Sequence, residues 1–510
     1  MLAKTYSYTI VGLEACLVNI EVDVHGGLPL THIVGLPDNV IKESKERVKS
    51  AIKNSGFSYP LRRVTINLSP ANLKKEGSAF ELAMAVGILA ADEQIDPETV
   101  ARYALLGELS LDGSVKGVRG SLPIALGMDR ERFGGLILPL ANAREAALNP
   151  EARLVPVEHL QTAVELLLDP ASIRPWTPPP TAIAPSRSED DLDYAQVKGQ
   201  HHAKRGLEIA AAGGHNVVMI GPPGCGKSML AKRFPGILPD MTPEEAYETT
   251  KIHSVMNLLP AGEPLLSRRP FRTAHHTTSA VALVGGGTYP RPGEITLSHN
   301  GVLFLDELPE FQRNALEALR QPMEDHCVTI ARANQTLRFP ARFILLAAMN
   351  PCPCGYLTHP RKACQCRGAQ VQRYLTRISG PLLDRIDIHL EIPPVPQEVL
   401  ASYDNEETSA EIKARTLAAR TRQYARFAET STATNAHMDD GQLRKHCRLD
   451  NAGAALLREA LEQLNLSARA HDKILRLSRT IADLAGEENI ASPHIAEAIQ
   501  YRALDRSWWH

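Results

Sequence analysis

The sequence has little excess charge, no long apolar run and few cysteines. Its 510 residues include 56 basic and 58 acidic side chains, a formal charge of -2. Whole-chain electrostatics therefore provides no attraction to nucleic acid, and any such contact must come from a local cluster or an assembled ring. Apolar stretches such as residues 343–349 are far shorter than the roughly 20 residues of a membrane helix. Without the apolar core and cleavage site of a secretory signal, the N-terminus predicts a cytoplasmic protein with no membrane partner.

The length of the chain predicts more than one domain, because a single hydrophobic core stops growing below this size. Strand and helix patterns alternate over residues 1–169, which predicts an α/β domain. The Pro- and Ser-rich segment 170–191 is typical of an extended linker. We expect a parallel-sheet P-loop core over residues 192–396. Leu and Ala at helical spacing predict a helical lid domain over residues 397–510.

A phosphate-binding motif follows a short apolar strand. It reads Gly, four residues, Gly-Lys-Ser, and consists of Gly221, Pro222, Pro223, Gly224, Cys225, Gly226, Lys227 and Ser228. The glycines allow backbone amides to face phosphates, Lys227 is expected to reach the β- and γ-phosphates, and Ser228 to coordinate Mg²⁺. On its own, the motif is also compatible with a Gly-rich turn.

Two carboxylates, Asp306 and Glu307, end a fully apolar run that is typical of a central parallel strand. Asp306 is predicted to hold the metal ion and Glu307 to activate the attacking water. A further apolar strand ends at Asn350, which is suited to orient the water or the γ-phosphate. Together with the phosphate-binding loop, these residues predict an ATPase that uses ATP and Mg²⁺.

Two arginines are candidates for contact with the γ-phosphate. Arg385 lies between apolar residues just before a predicted strand, and Arg469 lies in the helical domain. From the residues alone, Arg385 is equally compatible with a surface ion pair to Asp384 or Asp387. For Arg469, the residues alone favour an ordinary charge on a helix surface.

Four further motifs give the chain a close resemblance to the magnesium-chelatase-like AAA+ ATPases of the YifB/ComM type, over nearly its whole length. They are Arg272-Thr273-Ala274-His275-His276-Thr277-Thr278-Ser279, Leu283-Val284-Gly285-Gly286-Gly287, Pro292-Gly293-Glu294-Ile295 with His299-Asn300-Gly301, and Ser379-Gly380-Pro381. The resemblance implies a homo-hexameric ring in which one subunit supplies Lys227, Ser228, Asp306, Glu307 and Asn350. It also implies that Arg385 reaches the nucleotide of a neighbouring subunit and that Arg469 is a second sensor.

Two functional classes follow from this resemblance. The ComM branch is associated with ATP-driven DNA helicase and branch-migration activity in natural transformation, and the chelatase branch with insertion of Mg²⁺ into porphyrin. Chelatase motor subunits typically lack an N-terminal domain like the one here, and the integrin-like Asp-x-Ser-x-Ser motif of their partner subunit is absent from this sequence. A DNA motor is therefore preferred. The alternatives are the motor subunit of a metal-chelatase-type complex and an ATP-driven remodeller of protein partners.

The N-terminal domain resembles the proteolytic domain of Lon-type proteases, which has the ribosomal S5 domain 2-like fold. The similar stretches are residues 75–85 and 107–113. In this comparison the serine nucleophile falls on Ala79 and the general-base lysine on Leu122. Because acyl transfer requires an activated nucleophile, we interpret the domain as a non-proteolytic binding or assembly module. An ATP-dependent protease is a distant alternative.

Four of the eight cysteines are clustered just after Asn350. They are Cys352, Cys354, Cys364 and Cys366. Four thiolates satisfy tetrahedral zinc and leave no open position for water, so the predicted metal is structural. Reduced thiols without metal and redox-sensing disulfides are the alternatives. The predicted role of the zinc is to fix the loop between Asn350 and Arg385.

Two β-rich runs flank Ala333-Asn334-Gln335, which predicts a projecting hairpin. By resemblance to related rings, the hairpin lies in a central channel, where six copies of Arg332 and Arg338 contact the phosphates of single-stranded or branched DNA. Two solvated arginines on a surface hairpin are the alternative. His275 and His276 are the next candidates for DNA contact.

Overall fold

The computed structural model describes residues 1–73, 75, 77–178, 192–260, 262–287, 290–332, 335–401, 406–430, 432–464 and 467–502. Most of the predicted linker, residues 179–191, lies outside this range. The chain divides into two compact units. The N-terminal unit comprises Met1–Ala184 with Ala246–Leu266, and the second unit comprises Pro185–Glu245 with Ser267–His510.

The N-terminal unit is built on a seven-stranded mixed sheet with the strand order β3-β4-β2-β1-β5-β8-β9. The sheet consists of β1 (Leu2–Val11), β2 (Glu14–His25), β3 (Thr31–Val34), β4 (Arg63–Ser69), β5 (Tyr103–Leu105), β8 (Gly135–Pro139) and β9 (Leu154–Val157). Two further strands of this unit, β6 (Glu108–Leu109) and β7 (Val115–Lys116), form a separate antiparallel pair. Its helices are α1 (Asn39–Asn54), α2 (Glu81–Ala91), α3 (Pro97–Val100), α4 (Ser121–Gly127), α5 (Leu140–Ala146) and α6 (Leu160–Leu168), followed by a 3₁₀ turn at Pro170–Ser172.

Both faces of this sheet are covered by helices. Alternating residues of β2, such as Val18, Ile20 and Val22, belong to one cluster with α1, α2 and α6. A second cluster joins β8 to α4 and α5. Helix α2 is buried along its whole length, which explains why its sequence is apolar on every side instead of amphipathic.

The second unit contains nine strands. They are β10 (Val217–Ile220), β11 (Phe271–Ala274), β12 (Gly285–Gly286), β13 (Arg291–Pro292), β14 (Val302–Leu305), β15 (Cys327–Arg332), β16 (Gln335–Pro340), β17 (Ile344–Met349) and β18 (Ile388–Glu391). This count refers to the described residues. Helix α9 (Pro243–Val255) contains the residue at which the assignment changes between the two units.

Helices follow most of these strands, and a group of longer helices ends the chain. The helices of the nucleotide-binding region are α7 (His201–Gly213), α8 (Lys227–Arg233), α10 (Ala280–Val284), α11 (Glu294–Leu297), α12 (Arg313–Glu317), α13 (Arg320–Asp325), α14 (Gly368–Leu375) and α15 (Gly380–Leu383). The C-terminal helices are α16 (Gln397–Ala401), α17 (Ser409–Arg426), α18 (Asp440–His446), α19 (Asn451–Leu464), α20 (Ala468–Ala485) and α21 (Ser492–Gln500). Short 3₁₀ turns lie at Tyr194–Gln196, Phe234–Ile237, Leu308–Glu310 and Asn435–His437.

The centre of this unit is a five-stranded parallel sheet with the order β11-β14-β17-β10-β18. The register aligns Ile220 with Met349 and with Glu391, and Leu305 with Ala347. All five strands run in the same direction, so the residues that follow them meet at one edge of the sheet. The predicted P-loop parallel-sheet core is therefore present.

The C-terminal helices share a hydrophobic core with this sheet. Val217 and Met219 of β10 belong to the same cluster as Ile474 and Leu477 of α20. Arg420 of α17 is buried and donates to two carbonyl groups at the end of α7. Within the described part of the chain, no helix is both long and apolar enough to cross a bilayer.

Candidate nucleotide-hydrolysis site

The phosphate-binding loop lies directly after β10 and turns into α8. Gly224 and Gly226 have φ angles of +80° and +96°, which favour glycine, and a Cβ atom on either would meet no atom within 4 Å. In contrast, a Cβ on Gly221 would lie 2.3 Å from the carbonyl oxygen of Ile392. The loop is therefore packed tightly at its start, against the residue that follows β18, and open at its tip, where a phosphate chain fits.

Lys227 places its ammonium group inside this loop. Its Nζ donates to the carbonyl oxygens of Gly221 and Pro222, at 2.6 and 2.9 Å, and to Oδ1 of Asn350 at 3.2 Å. The side chain is buried, and burial lowers its pKa. The predicted strand end at Asn350 and the predicted phosphate-binding lysine are therefore brought together.

Ser228 and Asp306 form the second pair. The Ser228 hydroxyl donates to Oδ2 of Asp306 at 2.8 Å, although the two residues follow different strands. Mg²⁺ takes oxygen ligands and is commonly held by one or two protein groups together with phosphates. The donor set of a hydroxyl and a carboxylate therefore fits a magnesium ion.

Glu307 has a partner that the sequence analysis did not anticipate. One of its carboxylate oxygens lies 3.0 Å from Nδ1 of His276, whose ring lies 4.1 Å from that of His275. Glu307 itself has a left-handed backbone with φ of 53°. Both histidines follow β11, and parallel strands end at one edge of the sheet. Their position after this strand could therefore have indicated that they lie near Glu307. His276, named only as a DNA candidate, lies beside the predicted general base.

The two predicted arginines do not contact this cluster of residues. The guanidinium of Arg385 is largely buried and pairs with the carboxylate of Glu324, and it also donates to the carbonyl of Pro381 at 2.6 Å. Arg469 is exposed and lies 3.9 Å from Asp384. Among the described contacts, neither arginine reaches a residue of the phosphate-binding loop of its own chain.

The four clustered cysteines converge. Their Sγ atoms all lie within 4.8 Å of one another, and three of the pairs are separated by 3.3 to 3.6 Å. Tetrahedral zinc with Zn–S bonds of about 2.3 Å requires sulfur atoms about 3.8 Å apart, so the donor set fits this ion. The backbone amide of Tyr356 lowers the pKa of Cys354 to about 6, whereas burial raises the pKa of Cys352 to about 12.

The cysteine loop also touches the phosphate-binding loop. Gly355 has φ of 81°, and a Cβ atom there would lie 2.6 Å from Cδ of Pro223. The same Cβ would lie 3.8 Å from Cγ of Asn350. Backbone atoms of the cysteine loop are therefore in direct packing contact with two parts of the nucleotide site.

The predicted hairpin is present as the antiparallel pair β15–β16. Arg338 is exposed on β16. Arg332 lies on β15 and pairs with Gln335, but its side chain lies outside the described part of the structure, as do residues 333 and 334. The position of the hairpin in the chain, between the strands that precede Glu307 and Asn350, agrees with the prediction.

The N-terminal unit, for which a resemblance to Lon-type proteases was predicted, contains no comparable cluster among its described residues. Leu122 is fully buried in the apolar interior. The hydroxyl of Ser78, next to Ala79, donates to the carboxylate of Glu108. The ammonium of Lys75 donates to the backbone carbonyls of Gly35 and Pro70. These contacts give Ser78 no lysine as a base.

Taken together, the sheet order, the phosphate-binding loop after β10 and the carboxylates after β14 define a P-loop ATPase core of the AAA+ class. Three family models match the chain. Residues 193–400 match "Magnesium chelatase, subunit ChlI", residues 20–142 match "Subunit ChlI of Mg-chelatase", and residues 406–502 match "Magnesium chelatase, subunit ChlI C-terminal".

Several curated relatives match over nearly the full length, and a more distant one matches over part of it. The competence protein ComM of Haemophilus influenzae is 45% identical over 99% of this chain and 98% of its own. The YifB protein of Escherichia coli is 43% identical over 100% of this chain and 98% of its own. The DNA replication licensing factor Mcm6 of Drosophila melanogaster is 22% identical over 62% of this chain and 37% of its own. The chain therefore belongs to the ComM/YifB type of magnesium-chelatase-like AAA+ ATPases.

Proposed function

We propose that the chain is an ATP-hydrolysing motor that assembles into a homo-hexameric ring and acts on DNA, as a helicase that promotes branch migration during recombination or natural transformation. The observation that carries this proposal is the placement of the β15–β16 hairpin between β14 and β17, the strands that precede Glu307 and Asn350. The hairpin is therefore connected in the chain to two strands that carry residues of the nucleotide site. The similarity to a competence protein and to a DNA replication licensing factor supports DNA as the substrate.

The residues of the site suit hydrolysis of ATP to ADP and phosphate. Glu307 accepts a proton from water as the water oxygen bonds to the γ-phosphorus and the bond to the β–γ bridging oxygen breaks. Lys227 neutralises charge on the phosphates, and Asn350 orients the γ-phosphate. Ser228 and Asp306 would hold Mg²⁺, which neutralises charge on the β- and γ-phosphates when bound.

A hexameric ring would give Arg385 a role that its own subunit does not. Its described contacts are with Glu324 and Pro381 and not with the nucleotide site of the same chain. In a ring, Arg385 would supply the charge that stabilises the transition state in the neighbouring subunit. Arg469, at the start of α20, would be the second sensor.

A structural zinc ion at Cys352, Cys354, Cys364 and Cys366 is part of the proposal. The ion would hold the cysteine loop closed, and the loop packs against Pro223 and Asn350. All four positions of the metal would be filled by sulfur. The zinc would therefore support the shape of the site and take no part in the reaction.

The motor subunit of a metal chelatase is a second candidate, favoured by the descriptions of the matching family models. One experiment separates the two. The ATPase rate is measured without addition, with single-stranded, forked and four-way-junction DNA, and with a porphyrin, using Lys227→Ala as the inactive control. We expect DNA to raise the rate and porphyrin to leave it unchanged. A rate that responds to porphyrin alone would favour the chelatase.

The hairpin provides a sharper test. Replacing Arg332 and Arg338 by Ala should weaken DNA binding equally across sequences, flatten its salt dependence and stop strand movement, with the DNA-free ATPase rate preserved. The matched control is Arg444→Ala with Arg458→Ala, which removes two exposed charges from the C-terminal helices. Unchanged DNA affinity in the hairpin variant would transfer the role to other residues, beginning with His275 and His276.

A further inference from the structure

The segment that carries Arg385 is held at both ends. On its N-terminal side, Arg377 donates to a carboxylate oxygen of Glu310 at 2.6 Å and to the carbonyl of Pro309 at 3.2 Å. Both acceptors lie in the 3₁₀ turn directly after Glu307. The segment therefore begins against the residues that follow the predicted general base.

On the C-terminal side, Asp387 is anchored in the interior. Its Oδ2 accepts from the backbone amide of Asn216 at 2.9 Å, and its Oδ1 lies 2.9 Å from Nζ of Lys473. Nearby positive charge holds the pKa of Asp387 well below its usual range, and Asp387 is buried. Separating the buried Asp387 carboxylate from its partners is strongly unfavourable, so these contacts fix the backbone after Arg385.

Between these anchors, the side chain of Arg385 pairs with a carboxylate that is partly exposed to solvent. Its guanidinium is 11% exposed and pairs with Glu324, whose own side chain is 50% exposed. Its Nε is buried and forms no hydrogen bond with any described residue. To reach a phosphate on another subunit, Arg385 must leave Glu324. The Arg385–Glu324 pair is thus the contact that competes with its proposed role.

Glu324 is also tied to the hairpin. It lies in α13, which ends at Asp325, and β15 begins at Cys327. The residue between them, His326, has a left-handed backbone with φ of 53°, so the connection is a single tight turn. A displacement of the hairpin would therefore be passed directly to Glu324, while the segment that carries Arg385 has separate anchors.

We infer that Glu324 is a positioning residue that retains Arg385 within its own subunit, and that occupation of the β15–β16 hairpin by a nucleic acid strand releases it to the neighbouring site. This inference rests on the proposed function and adds a cause for stimulation of the ATPase by DNA. Arg385 is the group that acts on the phosphate, and Glu324 acts through it.

The test uses the full chain and measures kcat and KM for ATP with and without saturating single-stranded DNA. Glu324→Ala should raise the DNA-free kcat about tenfold, as expected for loss of one charged hydrogen bond that restrains the active form. KM for ATP and DNA affinity should stay unchanged, and the stimulation by DNA should fall by the same factor. Glu324→Gln, which keeps an acceptor without charge, should lie between Glu324→Ala and the wild type.

Asp325→Ala is the matched control. It removes the same charge from the next position of α13, and the exposed Asp325 carboxylate forms no hydrogen bond or ion pair with another described residue. We expect Asp325→Ala to have the wild-type kcat. An equal rise in both variants would show a general effect of charge and overturn the inference, as would an unchanged or reduced DNA-free rate in Glu324→Ala.

Arg385→Ala separates this inference from the proposed function. Alone it should abolish turnover, and combined with Glu324→Ala it should cancel the gain. If Arg385→Ala hydrolyses ATP normally, the proposed role of Arg385 is wrong. If Arg385→Ala is inactive and Glu324→Ala behaves as wild type, only the restraint by Glu324 is wrong. A wild-type rate that DNA does not change contradicts the proposed DNA motor, and the DNA-free rate of Glu324→Ala still decides on the restraint.

Discussion

At the carboxyl edge of the five-stranded sheet, Lys227 contacts Asn350 and Ser228 contacts Asp306, each pair being joined across different strands. In the N-terminal unit, the two positions that resemble a protease dyad are Ala79 and the buried Leu122. Both units have an ordered sheet covered by helices. A sequence that resembles an enzyme therefore does not by itself predict the reaction, because the chemistry depends on which side chains the fold brings together.

The largest expected effect tests whether the nucleotide site of the ATPase unit needs an arginine from a second subunit. Arg385→Ala should lower kcat by about 10³ to 10⁵, the range for an arginine that contacts a transferred phosphoryl group. Mixing Arg385→Ala with Lys227→Ala subunits should restore part of the ATPase activity, because some interfaces then combine an intact arginine with an intact lysine. No recovery in rings shown to be mixed would contradict action between subunits.

The next effect concerns the base. Glu307→Gln should preserve ATP binding and lower kcat by about 10² to 10⁴, because the amide cannot accept the proton of water. Lys227→Ala should instead weaken binding of the nucleotide. Both are measured by nucleotide titration and by phosphate release. A Glu307→Gln protein with normal turnover would mean that the catalytic base is another residue.

A smaller effect tests the support of the site. The purified protein should contain close to one zinc per chain, and replacing Cys352 and Cys364 by Ser should remove it and lower the melting temperature by about 5 °C. Cys16→Ser, which changes a cysteine outside the cluster, serves as the control and should keep both the metal and the melting temperature. Metal analysis and thermal unfolding give the answer. Protein that is free of metal and melts unchanged would refute the zinc site.

The smallest effect is expected for a substitution in the N-terminal unit. Ser78→Ala should leave the ATPase rate unchanged, and neither the variant nor the wild type should digest casein with ATP. The reason is that Ser78 donates to Glu108 and has no lysine as a base among the described contacts. Digestion that ATP stimulates and Ser78→Ala abolishes would restore the protease alternative.

The residues at the strand ends were predictable because each follows a short apolar run that the sequence shows directly. Val217–Ile220 is a strand as expected, and the convergence of Asp306 and Asn350 follows from parallel pairing alone. The pairs formed by His276 with Glu307 and by Arg385 with Glu324 were not predictable. They join residues separated by tens of positions, and loop conformations decide them. The sequence pattern contains no period or spacing for such contacts.

The division into units shows a similar limit. The sequence suggested contiguous domains, whereas Ala246–Leu266 clusters with the N-terminal unit although it lies within the chain of the ATPase region. Composition and linker patterns identify where a chain changes character. These patterns do not show with which unit an inserted segment of about twenty residues, such as Ala246–Leu266, clusters.

Gly355 is constrained by its backbone conformation and by its surroundings. Its backbone is left-handed, and a side chain there would overlap the ring of Pro223. Two independent requirements, one conformational and one steric, therefore exclude every larger residue at the same position. A library that randomises position 355 and is selected for ATPase activity should return almost only glycine. Among homologous sequences, Pro223 should be replaced by other residues only where the cysteine loop is absent.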